Sequence, residues 1–257
     1  MIKTKSIRGL KTSWIQKGLP GDESQILFFL HGCPDDPSTW SKQFDFFENK
    51  YCILAPFLRG LGKSEKSNRS RYTLNATALD HLEILRNANP KGNSKVTIIA
   101  HDIGAPYAWH LARLLGERLH SLIIIDGPEL TQMARRAFNL SQLMKSWYIG
   151  VIQLPVVAKI FIKLQNKKFA SAIHFIPYYR TLLREIPKEL SQKNPPLQAP
   201  VLVMWGIHDP FLEIPTATEM KRLARNFTLR VLEGAHWIHL EKHDRVNSLI
   251  HKFLEKV

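Results

Sequence analysis

The chain has 257 residues and is 44% hydrophobic, enough to bury a large core in one α/β domain with room for an insertion. Its two cysteines, Cys33 and Cys52, form no CxxC pair and belong to no spaced Cys/His cluster, which argues against a disulfide framework and a structural zinc site. With 36 Lys and Arg against 22 Asp and Glu the net charge is +14, a balance that favours anionic surfaces, yet no nucleic-acid recognition motif accompanies it.

The first twenty residues contain no apolar run of the kind a secretory signal needs. The most apolar stretch, 146–162, is interrupted by Gln153, Pro155 and Lys159 and falls short of a spanning helix, so a soluble, cytoplasmic chain is expected. Six short apolar runs then follow in order: 25–32, 51–57, 96–102, 122–127, 200–206 and 229–235. Each reads as a buried strand bounded by turn residues. Helical periodicity separates them at 74–87 (Leu74, Ala78, Leu82, Leu85), 105–116 and 245–256. Strands apolar along their whole length, alternating with helices, predict a mostly parallel sheet flanked by helices on both faces.

The alternation breaks once. Residues 128–197 contain helical and Pro-punctuated segments without a clear strand. They are expected to form a helical cap inserted into a core built from 1–127 and 198–257, over the carboxyl ends of the strands, where such sheets bind ligands. Residues 128–199 carry eleven Lys and Arg against three Glu, and Lys159, Lys163 and Lys167 recur every four residues, as on one face of a helix. That face is either a solvated surface or one that approaches anionic membrane.

The run VTIIAHDIGAP (96–106) ends in Asp102 with Ala100 and Gly104 two positions to either side. A sharp strand-to-helix turn that presents a nucleophile leaves no room for bulk beside it, and small flanking residues meet that need. Asp209 stands just beyond the strand 200–206, and His236 stands in the turn after the last one. The chain order is nucleophile, acid, base. All three follow strand ends, so they can converge on one edge of the sheet. The turn His31-Gly32-Cys33-Pro34 after the first buried strand can supply a backbone N–H to an oxyanion hole. Its donors would be the amides of Cys33 and Ile103.

These features, together with FLRGLGKSEKS at 57–67, resemble the α/β-hydrolase superfamily over almost the whole length. An aspartate at the elbow resembles the epoxide hydrolase and haloalkane dehalogenase branch. Two cap stretches, SWYIGVIQLP (146–155) and PYYRTLLRE (177–185), are similar to the segments that carry epoxide-binding tyrosines. The resemblance places these roles on Tyr148 and on Tyr179, with Tyr178 as the alternative. His31, Trp147, Tyr178 and Trp237 are expected around an apolar substrate pocket. The residue after the nucleophile is usually tryptophan in both branches and is Ile103 here, which removes a halide-binding indole N–H.

The chemistry fits a carboxylate. Displacement at saturated carbon by aspartate leaves an ester that activated water can cleave, whereas serine would leave an ether. The resemblance therefore implies hydrolysis of a small apolar epoxide by water, with no cofactor and no metal. Carbon–halogen hydrolysis by the same Asp102, Asp209 and His236 is the alternative, and a non-catalytic ligand-binding protein on this fold is a remoter one.

Overall fold

A computed structural model describes residues 1–18, 25–137, 139–154, 157 and 167–257. Eight strands form one sheet in the order β1-β2-β4-β3-β5-β6-β7-β8: β1 (Ile2–Ile7), β2 (Leu10–Lys17), β3 (Ile26–Leu30), β4 (Cys52–Pro56), β5 (Val96–His101), β6 (Leu119–Ile125), β7 (Val201–Gly206) and β8 (Phe227–Leu232). β2 pairs antiparallel with β1 and β4, and every other pairing is parallel. The central strands are mostly apolar and almost wholly buried because both of their faces are covered. Phe28, Leu30, Ile98, Ile124 and Val203 enter one core layer, and Leu27, Phe29, Ile99, Ile123 and Met204 enter the other. This is the period of two that a pleated strand imposes.

The first layer packs against α2 (Leu74–Ala88) and α3 (Gly104–Leu115). The second packs against α1 (Ser41–Phe47) and α9 (His243–Leu254), through Phe44, Phe47, Val246 and Ile250. Between β6 and β7 the described residues form α4 (Leu130–Arg136), α5 (Leu140–Gln153), a 3-10 segment (Lys167–Phe175) and α6 (Ile176–Ser191). Among these described residues, the one β pairing is an isolated bridge from Leu197 to Ala224. Two short helices, α7 (Ile214–Glu219) and α8 (Ile238–Glu241), complete the helices discussed below.

Two expectations need correction. β1 and β2 were not anticipated, because neither is an apolar run: β1 is exposed except at Ile7, and β2 sets Trp14 and Ile15 among Lys11, Thr12, Ser13, Gln16 and Lys17. β1 lies at the sheet edge and β2 next to it, paired to β1 and β4, and in both strands charged and polar residues mask the propensity. The last strand starts two residues earlier than expected and stops at Leu232, leaving Glu233, Gly234 and Ala235 in the turn before His236. It is the opposite edge strand, and its half-exposed side chains blur the pattern. Lys159 and Lys163 of the proposed basic face lie outside the described residues, so that expectation is carried by the sequence alone.

Candidate active site

Asp102 follows β5 directly and adopts φ +48°, a conformation that costs a side-chain-bearing residue energy and that the surrounding packing must hold. The tight flanks are visible in the contacts. A Cβ on Gly104 would lie 2.8 Å from the His31 carbonyl oxygen, and one on Gly32 would lie 2.6 Å from Asp102 Cβ. The turn after β3 thus presses against the elbow. From that turn the Cys33 N–H donates to Asp102 Oδ2 at 2.8 Å. Ile103, the other expected donor, starts α3; its side chain is buried in the core layer and does not line the cavity above Asp102.

His236 reaches the same point from the turn after β8. Its Nε2 lies 3.7 Å from Asp102 Oδ1, and its Nδ1 is 2.8 Å from Asp209 Oδ2. Asp209 is itself fixed, because its other oxygen, Oδ1, accepts from the backbone N–H groups of Phe211 and Leu212 at 2.7 and 2.9 Å. Burial alone would lower the His236 pKa. The hydrogen bond to Asp209 and the nearby charges of Asp102 and Asp209 outweigh it and push the value up to about 9. A further carboxyl group lies on the Asp209 side: Asp126, after β6, is fully buried, accepts from Gly206 N–H at 2.7 Å, and is held well above the usual carboxylate range by burial.

A cavity of about 550 Å³ opens over Asp102 and His236. Its floor is Asp102, Cys33 and His236, and its walls include Tyr148, Ile152, Tyr179 and Phe211. Tyr148 on α5 and Tyr179 on α6 face each other edge to face, ring centroids 6.4 Å apart. Burial, with the Asp102 charge and Cys33 nearby, pushes both phenols up, so they remain O–H donors at neutral pH. Trp147 and Trp237 also line the cavity, and the Trp237 indole N–H donates to Asp35 at 2.9 Å.

Two expected pocket residues are placed elsewhere. Tyr178 is fully buried beneath α6, where its O–H donates to the Arg59 carbonyl at 2.9 Å and its ring packs on Tyr72 and Tyr107. Adjacent helical residues differ by about 100° in direction, so only one of the Tyr178–Tyr179 pair can face the cavity. His31 is also fully buried, its Nε2 accepting from Leu58 N–H at 3.3 Å, and it supports the turn from behind.

Sequence reasoning missed Phe211 and Lys145. The Phe211 ring packs against His236 at 5.1 Å, and Lys145 Nζ donates to the Asp209 carbonyl at 2.7 Å. The helical spacing of Met144, Tyr148 and Ile152, all on the cavity, held a usable signal for α5; nothing local marked Phe211.

The sheet order, the elbow and the Asp–His–Asp geometry define the class. The chain belongs to the alpha/beta hydrolase fold family, whose family model matches residues 25–158. Among its relatives, epoxide hydrolase 3 of Xenopus tropicalis is 26% identical over 96% of this chain and 76% of its own length. Epoxide hydrolase 1 of Caenorhabditis elegans is 26% identical over 99% and 70% respectively. Among solved structures, a point mutant of an epoxide hydrolase from Bacillus megaterium superposes with a TM-score of 0.82 at 25% identity, covering 98% of this chain and all of that one.

Proposed function

We propose that the protein is an epoxide hydrolase, converting a small apolar epoxide and water to a vicinal diol through an ester on Asp102, with residues 128–197 acting as a cap on a core of 1–127 and 198–257. The observation that carries this reading is one carboxylate on the cavity floor with two phenols on the wall above it and a histidine at its side. The names of the relatives point the same way.

The geometry suggests how the oxygens divide the work. Oδ2 is engaged by the Cys33 N–H, which leaves Oδ1 to attack an epoxide carbon in line. The carbon–oxygen bond of the ring breaks, and the leaving oxygen takes a proton from Tyr148 or Tyr179. Donors aimed at that developing alkoxide supply much of the rate gain. His236, oriented by Asp209, then takes a proton from water. The hydroxide adds to Asp102 Cγ, and Oδ2 becomes the oxyanion beside the Cys33 N–H, with the Ile103 amide as second donor. Collapse breaks the ester, and the diol leaves with the proton returned from His236; the second proton of the water, left on the Asp102 carboxyl, passes to the tyrosinate and restores both groups.

Halide release is the weaker reading. Ile103 has no side-chain donor, and the Trp237 N–H is directed at Asp35. The test is repeated turnover of an epoxide panel in oxygen-18 water followed by mass analysis of the Asp102 peptide. Label in Asp102 is the expected outcome; an unlabelled Asp102 after many turnovers overturns the ester route, and halide release without diol formation overturns the substrate class.

A further inference from the structure

Helix α5 is amphipathic in the wrong sense for a helix on a water-facing surface. Leu140, Leu143, Met144 and Trp147, with Leu154 at its C-cap, fall within an arc of about 100° on the helical wheel. All five point to solvent: Leu140 and Met144 are 73% and 70% exposed, and the other three are more than half exposed. Gln142 and Ile152, on the side turned away from the stripe, are buried, and Tyr148 lies between Ile152 and Met144 on the cavity wall. A soluble surface does not ordinarily keep five large apolar side chains in one stripe.

The charge of the sequence that carries the stripe points to what covers it. From Leu130 to Arg184 the sequence contains no Asp or Glu and nine Lys and Arg. Large apolar residues and a tryptophan on one helix face, in a stretch of sequence whose charged residues are all Lys or Arg (Arg136 being paired with Glu213 and Glu219), match the interface of an anionic bilayer. A second copy of the chain fits poorly, since pairing the two faces would juxtapose two strongly positive segments across a low-dielectric contact.

We infer that the α5 face docks on anionic membrane, with Leu140, Leu143 and Leu154 entering the headgroup region. Met144 and Trp147 belong both to this face and to the cavity lining, so docking brings the cavity wall to the lipid. If the chain opens epoxides as proposed above, its substrates are then apolar epoxides partitioned into the bilayer. The docking itself rests on α5 and the charge, not on the reaction.

The experiment is sedimentation of the full chain with vesicles of equimolar phosphatidylcholine and phosphatidylglycerol, against phosphatidylcholine alone. Wild type pellets with the anionic vesicles, much less with neutral ones, and is released as salt rises because screening shortens the reach of the charges. The triple variant Leu140→Ser/Leu143→Ser/Leu154→Ser binds roughly tenfold or more weakly. Its thermal unfolding matches wild type, since these side chains are exposed, so the result does not depend on any turnover. Absence of wild-type pelleting, equal pelleting with neutral vesicles, or undiminished binding by the folded variant overturns the inference. Self-association of wild type that the variant abolishes also overturns it, assigning the stripe to a second copy.

Discussion

At the scale of single residues, the proposed mechanism needs His236 neutral to take a proton from water, yet beside two carboxylates its pKa stands near 9. Burial opposes this; the Asp209 hydrogen bond and the Asp102 charge win. In the proposed mechanism, esterifying Asp102 removes one of those charges, so the imidazole pKa falls and the base is released at the step that needs it. Replacing Asp102 by Asn imitates the neutral ester. Titration of His236 by NMR should give a lower pKa in Asp102→Asn than in wild type, and an unchanged value would sink this account. The sign for stability follows from the same shift. The folded pKa lies above the unfolded value of about 6.5, so the contribution is fully present below that pH and is lost as pH rises through about 9. Unfolding midpoints measured from neutral to alkaline pH should fall less steeply for Asp102→Asn.

At the scale of elements, α5 and α6 each carry one cavity tyrosine and further residues that tie the helix to the body. Buried Gln142 on α5 donates to the Phe211 carbonyl at 2.8 Å and accepts from Glu213 N–H at 3.1 Å, holding the loop that carries Asp209. On α6, Tyr178 bonds Arg59, whose guanidinium pairs with buried Asp80, and Glu185 accepts from the first backbone N–H of α2. Removing one partner of a buried hydrogen bond costs about 1–3 kcal/mol. Tyr178→Phe and Gln142→Ala are therefore expected to lower stability by that order in denaturant melts. Tyr178→Phe should leave turnover near wild type. Tyr179→Phe, which loses a donor facing the cavity, should do the opposite, with kcat down by roughly 10²-fold and stability little changed. A Tyr178→Phe variant that is stable but inactive would reverse the roles of the two tyrosines.

At the scale of the whole molecule, the parallel strands β3, β5, β6, β7 and β8 bring their carboxyl ends to one edge, and the functional groups sit on the loops that follow. The sheet is buried on both faces, while α5 turns five apolar side chains outward and buries only Gln142 and Ile152. Opening free energy is lowest where few apolar contacts are made. In hydrogen exchange, amides of β3, β5 and β6 should open only with global unfolding, and those of α5 should exchange through a cheaper local opening. Equal protection of α5 and β5 would show that the helices and the sheet unfold as one unit. Among the described residues no helix is long and apolar enough to cross a membrane, and the bilayer contact inferred for α5 is a surface one.

The six apolar runs, the helices between them and the elbow at Asp102 were legible in the sequence because each depends on a local pattern: uninterrupted burial, a 3.6 period, and small residues crowding one position. Asp209 and His236 were legible through their places after strand ends. β1 and β2 were not, since neither is an apolar run and their place at one side of the sheet is set by which neighbours they pair with. The choice between Tyr178 and Tyr179 was also closed to the sequence, which records adjacency but not the rotation of α6. Only the packed helix turns one ring to Arg59 and the other to the cavity. The contact of Phe211 with His236, the Cys33 N–H on Asp102 and the outward face of α5 likewise depend on distances between segments far apart in the chain. A local pattern specifies what a segment can bury, and tertiary contacts decide against what it is buried.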